Sequence, residues 1–300
     1  MRADPRDRWW LGRVGRLTLL LSVTLATSVQ AQPVRDGWLP MPDGARLHYR
    51  EQGRSAPGAP AIVLATGWTV PIDIWAPLMT RLGRTHRVIA IEPRGQGRST
   101  HATDALTPEA RADDLAVALR RLAVERAVLV GWSLGAIEVL AYVERHGDAR
   151  VAALALLDQP ASPDTSSAMR TAVARAAERL LRDRVGETRR FAAGMVVRPL
   201  TSADSAALVV GMLRTPTRNA IALMFGEASA DLGPVLPRLR MPVLVLSPAG
   251  PAAAPLGAMT TRIPRGRHVP IADAGHALFL DQPAVVAALL DTLAQGAGRP

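Results

Sequence analysis

The sequence predicts an α/β protein, a doubly wound and mostly parallel sheet with an inserted helical cap. Three observations carry that prediction. Short β-rich apolar runs alternate with helical patterns from residue 61 onward, a long stretch without strand signal interrupts the alternation after residue 160, and Gly131-Trp132-Ser133-Leu134-Gly135 joins an apolar run to a helix through a sharp turn. Alternation of this kind means parallel strands, because each helix must carry the chain back across a face of the sheet. At 300 residues and 48% hydrophobic content the chain can bury one large core with an insertion.

Taken in order, residues 1–31 read as a secretory signal peptide. An Arg-bearing start precedes the apolar run Leu17 to Val29, which is too short to span a bilayer, and small residues end at Val29-Gln30-Ala31. No adjacent Arg pair precedes the run, which favours the general secretory route over the twin-arginine one. Trp38 to Gln52 reads as a hairpin turning at Met41-Pro42-Asp43-Gly44. After the Gly/Pro/Ser-rich link 53–60 come the strand Ala61–Ala65, a helix from Ile72 to Leu82, the strand Val88–Ile91 and a helix from Pro108 to Leu122. The apolar run Ala127–Val130 then enters the glycine-flanked turn, and a helix leaves it from Ala136. Val151–Leu157 and Pro242–Leu246 are the next strands, separated by helical patterns over 164–185, 187–197, 202–213 and 216–225. His268–Ile271 is the last strand, and a helix from Gln282 to Leu293 closes the chain. The expected division is a core of residues 32–160 and 238–300 with a helical cap of residues 161–237.

Composition narrows the chemistry. The formal charge is +10, yet residues 1–31 hold five Arg against two Asp, so part of it leaves with the signal. The remaining Arg are scattered beside acids, as in Arg182-Asp183-Arg184, without the clustered stripe and aromatic platforms of a nucleic-acid site. No nucleic-acid partner is expected, and no stable membrane span after signal cleavage. Every basic residue is Arg, which removes lysine Schiff-base chemistry, and the absence of Cys removes thiol nucleophiles and disulfides. Neither a metal nor a cofactor is expected.

The glycine-flanked turn is where a serine becomes a nucleophile. A serine forced into a strained conformation leaves no room for side chains two positions before or after it, which is the task of Gly131 and Gly135. Ser133 needs a base, and of six histidines His276 stands in a Gly-His loop after the last strand, at the carboxyl edge where the serine also opens. His48, His86, His101, His146 and His268 read as surface residues without metal-ligand spacing.

With these residues the chain resembles the α/β-hydrolase superfamily, over the whole of Pro33 to Gly296. Ala65-Thr66-Gly67-Trp68 and Glu92-Pro93-Arg94-Gly95-Gln96-Gly97-Arg98-Ser99 are further matches, the second with Glu where the family has Asp. It is a structural signature, and Thr100 at the third-glycine position makes it unlike a dinucleotide loop. The resemblance implies an acid after the penultimate strand, but Ser247–Ala252 holds no carboxylate. The best candidate is Asp158, at the end of the strand after the helix that leaves the glycine-flanked turn; Asp273 and Asp281 flank the His276 loop and read as surface or helix-start residues. The same resemblance implies an oxyanion hole from the backbone N–H groups of Trp68 and Leu134. Thr66 stands where the family often has His, so the usual brace for that loop is smaller. Trp68, Met195, Met224 and Phe225 are the candidate substrate contacts, with Met212 beside them.

The implied activity is a secreted or periplasmic serine hydrolase acting on a small, largely apolar ester or lactone. Perhydrolysis on the same triad, the cofactor-free haloperoxidase-like activity, and a binding protein without turnover are the alternatives. A dehalogenase would need a carboxylate at position 133.

Overall fold

In the computed structural model, residues 34–298 are described, apart from Ser55, Thr103 and Ala252; the signal peptide expected over residues 1–31 lies outside them. Eight strands form one sheet in the order β1-β2-β4-β3-β5-β6-β7-β8. The antiparallel entry is β1 (Arg35–Pro40) on β2 (Arg46–Gln52), and β2 pairs antiparallel with β4 (Val88–Ile91). From there every pairing is parallel, through β3 (Ala61–Ala65), β5 (Ala127–Trp132), β6 (Val151–Leu157), β7 (Val243–Pro248) and β8 (Gly266–Ile271). Every residue of β3, β4 and β5 is buried, which is why those segments read as continuous apolar runs instead of alternating ones.

Two helix pairs pack together around this sheet: α1 (Ala76–Leu82) with α10 (Pro283–Ala297), and α2 (Pro108–Arg121) with α3 (Leu134–His146). α1 is preceded by a 3₁₀ turn, Ile72–Trp75, so the single helix expected from Ile72 is two pieces. α8 (Ala253–Thr260) and the short α9 (Leu278–Asp281) were not anticipated, because Ala/Pro/Gly-rich and purely apolar runs carry no 3.6-residue contrast.

Between β6 and β7 run four helices, α4 (Ser167–Arg182), α5 (Arg184–Gly194), α6 (Ser202–Leu213) and α7 (Thr217–Ser229). Side-chain oxygens start the first three: Ser166 accepts from Met169 N, Asp183 from Gly186 N and Thr201 from Asp204 N. These caps let the chain reverse within short links. The insertion is fastened to loops at the carboxyl ends of the strands. Trp68 Nε1 donates to the Ala220 carbonyl (2.6 Å), Asn219 Nδ2 to those of Gly95 and Ala102 (3.2 and 3.0 Å), and Ala277 N to that of Met195 (2.7 Å).

Two histidines depart from the surface reading. His48 is 2% exposed, with Nδ1 3.1 Å from Glu92 and Nε2 3.1 Å from Asp36, and His86 is 6% exposed with Nε2 2.6 Å from Asp291. Carboxylates distant in sequence take both rings inside, and local polar neighbours gave no sign of them.

Candidate active site

Ser133 leaves β5 at φ 54° and ψ −129°, a conformation unfavourable for a residue with a Cβ. The turn is held by Ser133 N donating to the Leu157 carbonyl (3.0 Å) and Ala136 N to the Ser133 carbonyl (2.7 Å). Its flanking glycines are obligatory for measurable reasons. A Cβ on Gly131 would stand 2.4 Å from the Gly135 carbonyl oxygen, and one on Gly135 would stand 2.4 Å from that of Ala65.

Asp158 follows β6, the strand beside β5, and its own φ of 49° turns it out of the ladder while its N–H still bonds the Leu246 carbonyl (2.8 Å). Its Oδ2 lies 2.7 Å from His276 Nδ1. The acid therefore reaches the histidine from β6, and the turn after β7 takes no part: Ser247 Oγ instead pairs with His268 Nε2 at 2.9 Å. Among the described residues Ser133 Oγ has no hydrogen-bond partner, so its link to His276 Nε2 is not closed here. Catalytic contacts of this kind commonly tighten only with substrate.

His276 is held from three sides. Trp132 Nε1 donates to its carbonyl at 2.8 Å, and the Trp132 and His276 rings lie 5.1 Å apart. Trp132 in turn packs edge-on against Trp75 and Phe279, which stack on each other with centroids 4.1 Å apart. Asp281 is the third hold: it was read as a surface or helix-start residue, and it stands just before the closing helix but is buried. At 6% exposure it accepts from Gly275 N (2.9 Å), Val197 N (3.1 Å) and Arg198 N (3.2 Å), tying the histidine loop to the insertion. Asp273, by contrast, is exposed.

The N–H groups of Trp68 and Leu134 donate to no partner among the described residues, and a Cβ on Gly67 would come 3.1 Å from Ser133 Cβ. The loop carrying Trp68 thus runs directly over the serine. Its brace was missed from the sequence: buried Gln96 donates to the Gly67 carbonyl (3.2 Å) and accepts from Thr69 N (3.1 Å). Thr66 Oγ1 adds a bond to the Val70 carbonyl at 3.1 Å. The role the family gives to a larger residue at 66 is shared here by Gln96, whose place inside the Glu92–Ser99 segment was the available clue.

Of the expected substrate contacts, Trp68 is 9% exposed, its indole bound to Ala220, 5.2 Å edge-on from Phe191 and 5.5 Å below the Arg184 guanidinium. Met195 and Met212 are packed at 1% and 0%, Met224 is half-buried, and Phe225 stands 44% exposed. A crevice of about 430 Å³ bordered by Ala61, Arg87 and Arg126 lies at the amino ends of β3 and β5, away from Ser133. Among the described residues, no group of three or more His, Asp or Glu is placed to hold a metal, and no helix is long and apolar enough to cross a membrane.

The model of the alpha/beta hydrolase fold family matches residues 60–283. This chain belongs to that family. A bifunctional esterase/perhydrolase of Acinetobacter calcoaceticus is 36% identical over 122 residues, 40% of this chain and 44% of the relative. A non-heme haloperoxidase of Rhodococcus erythropolis is 35% identical over 38% of this chain and 41% of its own length, so these matches span less than half of either relative. A pimeloyl-[acyl-carrier protein] methyl ester esterase of Aromatoleum aromaticum is 29% identical over 79% of this chain and 99% of its own. Among solved structures, an esterase of Exiguobacterium antarcticum superposes at a TM-score of 0.79 with 19% identity, covering 87% of this chain and 100% of its own. A thermophilic esterase of Thermogutta terrifontis does so at 0.76 with 26% identity, covering 88% and 100%. In this α/β-hydrolase-fold chain the Glu for Asp exchange at position 92 is accommodated by burial. Glu92 accepts from Ile72 N (3.3 Å) and Arg98 N (2.8 Å) and meets His48, and Gly97 leaves space for its carboxylate.

Proposed function

We propose that the protein is a serine hydrolase that cleaves a small, largely apolar ester or lactone through Ser133, His276 and Asp158. The observation that carries the proposal is the 2.7 Å contact of Asp158 Oδ2 with His276 Nδ1, made at the strand ends where Ser133 is held at φ 54°. In this reading His276 Nε2 takes the Ser133 proton as Oγ attacks the carbonyl carbon, and Asp158 fixes the ring tautomer and stabilises the imidazolium. The N–H groups of Trp68 and Leu134 receive the developing oxyanion. Collapse expels the alcohol, protonated by His276, and water then attacks the acyl-Ser133 ester to release the acid. In the same reading Trp68, Met195, Met224 and Phe225 supply the apolar surroundings of the acyl or alkyl group under the cap of residues 161–237.

The kinship to a bifunctional esterase/perhydrolase favours a second outcome on the same acyl-enzyme. Hydrogen peroxide in place of water would release a peracid and regenerate Ser133, with no change in oxidation state at the protein.

The experiment is a screen of p-nitrophenyl esters of graded chain length with lactones alongside, with and without peroxide, on the parent and Ser133→Ala. Turnover lost by about 10⁴-fold in the variant is the expected result. Equal turnover by both proteins contradicts the proposal.

A further inference from the structure

α7 brings one more titratable group to the site, and the chemistry proposed above leaves it unused. Glu227 follows Ala220 by seven residues and Leu223 by four, so the three share one face of α7. That face is the one turned toward Ser133's surroundings, because the Ala220 carbonyl holds Trp68 Nε1 and Leu223 is 1% exposed. The charges acting on the Glu227 carboxyl are His276 and Arg111 of α2, and Glu138 of α3 feels Glu227 in turn. None of them binds it. Arg111 lies 2.7 Å from Glu138, His276 Nδ1 lies 2.7 Å from Asp158, and among the described residues no hydrogen bond or ion pair holds the Glu227 side chain. A half-buried carboxyl on this face of α7, to which no protein group of the described residues donates, is left open to a donor carried by a bound molecule.

We propose that Glu227 determines specificity at this site by accepting a cationic group of the substrate, an ammonium borne by the part of the ester that lies beneath α7, and by repelling esters that carry a carboxylate. The inference rests on the Ser133 reading and narrows its substrate to an ester whose otherwise apolar body carries one ammonium. A charge-assisted contact of this kind is worth about tenfold or more in kcat/KM. It is also pH-dependent. Burial pushes the Glu227 carboxyl up to about 7, against the pull of His276 and Arg111. Below that value the group is neutral and above it anionic, so preference for an ammonium ester over its uncharged isostere grows as pH rises through neutrality. The parent ratio is read against that of Glu227→Gln, which keeps His276, Arg111 and Glu138 in place. Glu138, pushed up to about 7 by the same burial, is the other group facing Glu227 that titrates there, with Asp114 acting on it.

The test compares p-nitrophenyl 4-(trimethylammonio)butanoate with its carbon isostere, the 5,5-dimethylhexanoate, on the full chain at pH 6 and pH 8. The expected result is a kcat/KM ratio that rises with pH in the parent, falls about tenfold in Glu227→Gln at pH 8 and is restored by Glu227→Asp. A ratio in Glu227→Gln that still follows pH assigns the effect to another group of the site and overturns the inference. So does a parent ratio that ignores charge while the neutral ester is turned over. If neither ester is turned over, the Ser133 reading fails by itself, and calorimetric binding of the trimethylammonio ester to Ser133→Ala still decides on Glu227. About tenfold weaker binding on adding Glu227→Gln supports the inference, and equal binding contradicts it.

Discussion

At the scale of single residues, the account depends on how Asp158 and Gln96 act through their neighbours. Asp158→Asn keeps the size of the side chain but offers His276 Nδ1 an amide, which favours the wrong tautomer; kcat is expected to fall by up to about 10⁴ with the thermal midpoint little changed. Paired measurements of kcat and Tm separate this from a structural role, in which Tm alone would drop. Gln96→Leu removes the clamp on Gly67 and Thr69 and leaves a buried carbonyl and N–H without partners. The expected cost is about 1–3 kcal/mol of stability, together with a fall in kcat larger than any rise in KM if, as proposed, the Trp68 amide receives the oxyanion. Unaltered kinetics in a folded Gln96→Leu protein would show that Thr66 braces the loop unaided. The residues that surprised us share one property. His48, His86 and Asp281 are polar in sequence and buried in space; apart from Gly275, six positions from Asp281, the partners that hold them come from 12 to 205 positions away, so a local window does not contain the main reason.

At the scale of elements, the strand–turn–helix around Ser133 was legible because its constraint is local: five residues must turn from a sheet into a helix, and only glycine fits at two of them. Gly135→Ala drives a Cβ toward the Ala65 carbonyl oxygen and is expected to destabilise the fold by at least about 2 kcal/mol in urea titration. The four helices of the insertion were legible from their helical patterning and the lack of any strand signal, whereas α8 was not, since Ala253–Thr260 has no polar face to mark a period. α2 and α3 are joined by a contact the sequence did not signal. Arg111 and Glu138, whose side chains are 1% and 5% exposed, lie 2.7 Å apart without aligned hydrogen bonds. Arg111→Met strands a buried carboxylate and is expected to cost about 3–5 kcal/mol, most of it recovered in Arg111→Met with Glu138→Leu, because two well-packed apolar groups need no desolvation. A double variant as unstable as the single one would contradict that account.

At the scale of the whole molecule, the order of serine, acid and histidine along the chain becomes one edge of a sheet only because the connections between β5, β6, β7 and β8 are parallel crossovers. The fold class followed from that alternation, while the route of the acid needed the strand order. We propose that the protein is exported and trimmed after Ala31, so an exported form is expected to begin at Gln32 by intact-mass spectrometry. A cytoplasmic protein retaining residues 1–31 would remove that proposal without touching the site. The central claim, an activated Ser133, is tested most directly by a fluorophosphonate probe followed by peptide mapping. The account predicts a single adduct on Ser133, formed rapidly by the parent and much more slowly by His276→Ala. A parent protein that takes up no probe, or takes it up elsewhere, would contradict the claim and leave a hydrolase fold that binds without turnover.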